Sequence, residues 1–244
     1  MEHCINILRI FNEITIEISS EKNVSLSKTS VLSRVMIRKV KIYFLESNTL
    51  PPMIKNLGER LIEGLANRFG GREGNDLIAQ SIFLDPRFKK QGFGDENKFQ
   101  ATYQNLIAKI RACTSQESPQ SLSQHSQPLL TSSTISVWEE FDATINHLQG
   151  MHNPSTAAIV ELDKYLAELH ISRTNDPLIW WEARTNLYPH LYKIMLKRLC
   201  IPATSVPCER IFSKAGQICN EKRSRLTSTK INQILVVQHN VNLF

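Results

Sequence analysis

Apolar residues recur at alternating three- and four-residue steps along most of the chain, the spacing that lines one face of an α-helix. Ile7, Phe11, Ile14 and Ile18 form the first such stripe, which ends in the polar run Ser-Ser-Glu-Lys-Asn at 19–23. A second helix is predicted from about Lys28 to Leu45, before Leu-Pro-Pro at 50–52 breaks the chain. Ile54, Leu57, Leu61, Leu65 and Phe69 mark a third, closed by Gly70 and Gly71, glycine being the usual residue just past a helix end. The apolar stretch 76–88 should stop at Asp85-Pro86, because proline pushes the residue before it out of helical geometry. Phe99, Tyr103, Leu106, Ile107 and Ile110 outline a long fourth helix.

Residues 115–134 change character: Ser, Gln, Thr and Pro dominate and there is no Lys or Arg. Such a segment buries too little apolar surface to offset its ordering entropy and reads as a flexible linker. Beyond it, a short helix is expected over 137–148 and another carries Ile159, Leu162, Leu166 and Leu169. Asp176-Pro177 is a helix start, aspartate as cap and proline in the first turn, and a further helix follows Pro189 with Leu191, Ile194, Met195 and Leu199 on its inner face. The last helix begins near Thr227 and aligns Ile231, Ile234, Leu235 and Val241. Only Asn-Val-Ser-Leu-Ser at 23–27 alternates as a strand would. The expectation is a mainly α chain in two parts, residues 1–114 and 135–244, joined by the linker at 115–134.

Composition adds bounds. Of 244 residues, 41% are apolar and 21% charged, the range of a folded globular chain. The longest apolar runs, such as Ile-Leu-Val-Val at 234–237, fall far short of the roughly 18 residues of a membrane span, and the polar start lacks the layout of a signal peptide, so an intracellular chain with no membrane partner is expected. The five cysteines, Cys4, Cys113, Cys200, Cys208 and Cys219, show no metal-ligand spacing and are expected as free, buried thiols. His125, His147 and His152 form no ligand set, and no metal or cofactor is expected. The net charge of +6 permits attraction to nucleic acid without requiring it.

The C-terminal third carries a denser signal. It contains the Trp180-Trp181 pair after Asp176-Pro177, the stretch Ile-Pro-Ala-Thr-Ser at 201–205, Cys-Glu-Arg-Ile-Phe-Ser-Lys-Ala-Gly at 208–216, Lys-Arg-Ser-Arg-Leu at 222–226, and an apolar helix ending in His239-Asn240. Together these closely resemble the C-terminal dimerisation region of hAT-family transposases and of the BED zinc-finger proteins domesticated from them. Upstream, Leu-Asp-Pro-Arg-Phe-Lys-Lys at 84–90 looks like the middle helical region of that family. The resemblance implies a helical insertion-like region followed by the C-terminal helical part of a ribonuclease H-like core. It implies a nuclear protein that pairs with itself or with a related hAT-derived chain. The interface it suggests comprises Trp180, Trp181, Leu191, Ile194, Leu199, Phe212, Ile231, Ile234 and Leu235.

By position, Glu209 matches the third metal-binding acid of active hAT transposases. Two-metal phosphoryl transfer needs several carboxylates converging on both ions, and no aspartate here follows a strand-like run in the expected context; neither the two catalytic aspartates nor a BED finger is expected in this sequence. Glu209 then reads as structural, neutralised by a nearby base in a packed helix, with Arg210 bound to a carboxylate or carbonyl. A non-catalytic dimerisation module, with a link to DNA or transcription regulation, is the leading expectation. The alternatives are a transposase remnant that contributes Glu209 to a metal-dependent site, and a non-specific DNA binder using Lys214, Lys222, Arg223, Arg225 and Lys230.

Overall fold

A computed structural model describes residues 2–20, 23–46, 50–116, 154–219 and 226–241. The helix expected over 137–148 and most of the linker lie outside the described residues, as do Lys222, Arg223, Arg225 and the three histidines. The described chain is mainly helical: α1 (Glu2–Ile18), α2 (Lys28–Glu46), α3 (Pro52–Phe69), α4 (Asp76–Leu84), α5 (Glu96–Gln116), α6 (Pro154–Ala167), α7 (Pro177–Glu182), α8 (Pro189–Leu199), α9 (Val206–Ile218) and α10 (Ser228–Asn240). No strand occurs among the described residues. Residues 23–27 form a bend and turn instead, with Val24, Ser25, Leu26 and Ser27 all buried. Their alternation was a poor guide because both the polar and the apolar side chains are inside.

The helix ends lie where local chemistry puts them. Asn75 caps α4, its side-chain oxygen accepting from Leu77 N at 2.9 Å and Ile78 N at 3.4 Å. Asp176 caps α7, accepting from Leu178 N at 2.8 Å, and Thr227 caps α10, accepting from Lys230 N at 3.4 Å. Each satisfies backbone donors that have no partner within the helix. After α3, Gly71 takes φ 76°, a left-handed conformation that glycine adopts without a Cβ clash. Leu169 departs from expectation: α6 ends at Ala167, and Leu169 stands 88% exposed.

The chain forms two compact units, Met1–Gly70 with Cys200–Phe244, and Gly71–Leu199. The sequence-based boundary at 115–134 therefore falls inside one unit, because α5 on one side of it packs along α6 on the other. In the first unit α1, α2 and α3 share a core of Ile14, Met36 and Leu65, flanked by Ile10, Phe11, Ile18, Leu32, Ile37 and Phe69. The α2–α3 approach depends on Gly58, where a Cβ would fall 1.8 Å from the Phe44 ring. In the same unit α9 packs against α10, and Ala203 N donates to Ser25 Oγ at 3.0 Å.

The second unit is held by reciprocal capping. Tyr165 OH donates to Phe83 O at 2.9 Å and Trp181 Nε1 to Leu84 O at 2.8 Å. Both acceptors are carbonyls at the open end of α4, where the helix has no donor of its own to offer. In return Lys89, just beyond α4, donates from Nζ to Tyr165 O and Glu168 O at the end of α6, each at 2.6 Å. Glu161 on α6 accepts from the His190 and Leu191 amides at 3.0 and 2.9 Å, capping α8. Segments from both sides of the linker thus complete each other's backbone hydrogen bonding.

Candidate functional site

The residues expected to meet a partner separate into two groups. Trp181, Leu191, Ile194 and Leu199 are buried inside the second unit, Trp181 completely. Trp181 stacks on Tyr165 with ring centroids 5.1 Å apart, and half-buried Trp180 stacks on Tyr188 at 6.3 Å with Arg184 over its face at 4.3 Å. Five of the nine expected interface residues therefore serve as core or lie against it. Two large aromatics one residue apart bury so much area that the nearest apolar faces of their own chain claim them first.

Sequence reasoning missed Lys89, the cation at the centre of that cluster. It is 1% exposed, adopts φ 45°, and lies 4.6 Å from the Tyr165 ring centroid and 5.9 Å from that of Trp180. Burial lowers its amine to about 8, with Glu168 opposing the shift and Arg184 adding to it. In an unfolded chain the amine titrates near 10.5, so between these values the unfolded state holds the extra proton and native stability rises with pH. Tyr165 and Tyr188 act in the opposite sense higher up. Burial foremost raises both hydroxyls above their ordinary value of 10.0, Asp85 adding most to the effect at Tyr165 and the Glu168 hydrogen bond at Tyr188, so stability falls once unfolded tyrosines ionise. Lys89→Met is expected to reduce the rise between pH 8 and 10 in thermal unfolding midpoints relative to the parent chain, leaving the part that the lowered Lys109 amine contributes, and to keep the fall above it. An unchanged alkaline rise in the variant would show that Lys89 is charged in both states.

The second group lies on α9 and α10. Ile211, Ala215 and Ile218 on α9, and Ile231, Ile234 and Leu235 on α10, are half-buried, so the contact between the two helices covers them only in part. Phe212 is 73% exposed, and Val236, Val237 and Val241 are 53, 64 and 60% exposed. One turn beyond Phe212, exposed Gly216 has nothing within 4 Å of where a Cβ would sit, so the helix surface beside the aromatic ring is open. Val236 and Val237 were visible in the sequence as part of a four-residue apolar run at 234–237; a run that covers all sides of a helix cannot be buried by one neighbour, and that was the available signal.

Glu209 sits exposed in the first turn of α9 and accepts a hydrogen bond from Ser205 Oγ at 2.5 Å. Its partner is a hydroxyl one turn back, not the base that was expected, because the N-terminal turn of α9 places Ser205 and Glu209 on the same face. Among the described residues no group of three His, Cys, Asp or Glu is arranged to hold a metal ion. The cysteines are free, Cys4 and Cys113 half-buried and Cys200, Cys208 and Cys219 exposed; burial was expected for them, but the last three fall at or near helix ends on the surface. Lys214 and Lys230 are exposed. No helix among the described residues is long and apolar enough to cross a membrane.

Comparison with known proteins places these features. The profile of the hAT family C-terminal dimerisation region matches residues 161–241, which run from the α8-capping Glu161 through the end of α10. The chain is 28% identical over 172 residues, 66% of its length, to the putative AC transposase of Zea mays, of which this covers 21%. Over 243 residues, its whole length, it is 21% identical to zinc finger BED domain-containing protein 4 of Homo sapiens, covering 20% of that protein. Over 80 residues it is 31% identical to the transposable element Hobo transposase of Drosophila melanogaster, covering 12% of it. The chain thus spans about a fifth of the length of the first two relatives. Residues 161–241 match the hAT family C-terminal dimerisation region, in a mainly helical chain that is similar to hAT transposases and to a BED zinc-finger protein.

Proposed function

We propose that this chain is a non-catalytic self-association module of a transposase-derived nuclear protein, and that α9 and α10 form its contact surface. The observation that carries this reading is the uncovered apolar surface of Phe212, Val236, Val237 and Val241 within the stretch matched by the dimerisation region. Ile231, Ile234 and Leu235, half-buried beside it, extend the same surface. A two-fold pairing suits the surface, since the same exposed apolar residues, Phe212 foremost, recur on a second copy and can cover one another. A related hAT-derived chain with the same face is the other partner of this kind. Trp181 and its neighbours act as the scaffold in this reading. Glu209 is a helix-end residue, and Lys214 and Lys230 lie near the apolar surface, where they are suited to contact DNA phosphate.

Sedimentation equilibrium of the purified chain tests this reading. A reversible dimer whose affinity is insensitive to salt is expected, because apolar contacts are not screened. The double substitution Phe212→Ser with Val237→Ser is expected to weaken dimerisation about 100-fold or more, since fully burying each side chain is worth about 1.5–3 kcal/mol. Glu209→Gln is expected to leave it unchanged. A parent chain that stays monomeric at all concentrations, or a dimer indifferent to the double substitution, would remove α9 and α10 as the interface.

A further inference from the structure

Besides the aromatic cluster, the second unit holds a place where three of its helices converge on one buried amide. Gln80 on α4 is fully buried, and its Oε1 accepts from Lys109 Nζ on α5 at 3.0 Å and from Arg198 Nε on α8 at 2.7 Å. Its Nε2 donates to Asn105 Oδ1 at 3.0 Å, and Asn105 Nδ2 donates to Asp76 Oδ2 at 3.1 Å. The direction of this relay is forced from both ends. A carboxylate only accepts and the two cations only donate, so each amide has one permitted orientation.

The relay is electrostatically unbalanced. Two cations share one neutral oxygen, and among the described residues neither pairs with a carboxylate; Asp76 is reached only through two amides. Lys109 is held below its ordinary value by burial and by Arg198, against a weaker pull from Asp76. Gln80 engages Arg198 through Nε, and Nη1 has only a long contact of 3.3 Å to Lys197 O. Guanidinium and ammonium donors therefore remain on two half-buried side chains held close together by a single acceptor.

We propose that Lys109 and Arg198, oriented by Gln80, form a binding site for a phosphate oxyanion. A phosphate offers several acceptor oxygens on one centre, enough to engage an ammonium and a planar guanidinium edge together, and its charge offsets the repulsion that a neutral amide cannot. The phosphate comes from a nucleic-acid backbone or from the free ion; the recognising chemistry is shared. The site shares no residue with the self-association surface, and it adds a phosphate contact that no basic run in the sequence indicates.

Titrating the full chain with inorganic phosphate, and separately with a short DNA duplex of arbitrary sequence at low salt, tests the proposal. The side-chain Nε–Hε resonance of Arg198 is followed by NMR in the unmutated chain, so the result does not depend on variants folding. Both probes are expected to shift that resonance saturably. Lys109→Gln and Arg198→Gln are each expected to weaken duplex binding about fivefold and to reduce the salt slope by about 1. Lys55→Gln, the same charge change at an exposed position on α3, serves as the control for net charge. A phosphate shift with duplex binding unaffected by either variant assigns the site to the free ion. No shift with either probe, or variants no different from Lys55→Gln together with no phosphate shift, overturns the site.

Discussion

Replacing Trp181 with alanine is expected to destabilise the second unit by about 4 kcal/mol, near the upper end of what large-to-small changes in a core cost. The indole is completely buried and stacked on Tyr165 at 5.1 Å, so its removal leaves a cavity under the aromatic cluster. It also removes the Nε1 donor from Leu84 O, stranding a carbonyl at the end of α4. Trp181→Phe separates the two effects: the ring is largely kept, the donor is lost, and a cost of about 1–3 kcal/mol is expected. Urea unfolding measures both. The resemblance-based reading of Trp181 as an interface anchor predicts something else, a weakened dimer with an unchanged unfolding midpoint for the monomer. That outcome would return the residue to the interface.

Asp85→Ala is expected to be of similar size, about 3–5 kcal/mol, because it leaves a buried charge uncompensated. Asp85 is 0% exposed and Arg87 8%; the carboxylate accepts from Arg87 Nε at 2.8 Å, from Nη2 at 2.6 Å and from the Arg87 amide at 3.0 Å. This fork closes the turn after α4, immediately before the Lys89 contact with α6. Removing both charges at once, as Asp85→Leu with Arg87→Met, is expected to recover a substantial part of the loss, since the pair's desolvation cost disappears with it. The double-mutant cycle in urea reports the coupling directly. An Asp85→Ala variant as stable as the parent would mean that Arg87 finds solvent or another acceptor when released.

Both substitutions act on a part of the fold that no single helix specifies. Asp85 announced itself in the sequence only as the residue before Pro86 that ends a helix, and it does end α4. Its role as an ion-pair partner depends on Arg87 lying two residues away in a buried turn. Lys89 looked like one of several basic residues, yet it fills the space between two helices whose sequence positions differ by more than seventy residues. Gln80 carried no sequence signal at all. A buried amide becomes informative only when the donors that reach it are known.

Helix positions were legible in the chain because their causes are local. Asp176, Thr227, the Gly70-Gly71 pair and Asp85-Pro86 act within one turn of themselves, and the apolar spacing follows from 3.6 residues per turn. The signature at 208–216 and the tryptophan pair likewise sufficed to point to the hAT dimerisation region that the comparison then matched. Tertiary structure alone decided which apolar face is satisfied. Trp181 and Leu191 vanish into their own unit, whereas Phe212 and Val237 remain open on helices of equally apolar pattern. It also decided that residues on both sides of the linker share one unit. The reason is physical: periodicity states that a face avoids water, but the hydrophobic effect has no direction, and only the arrangement of the other helices determines what covers it.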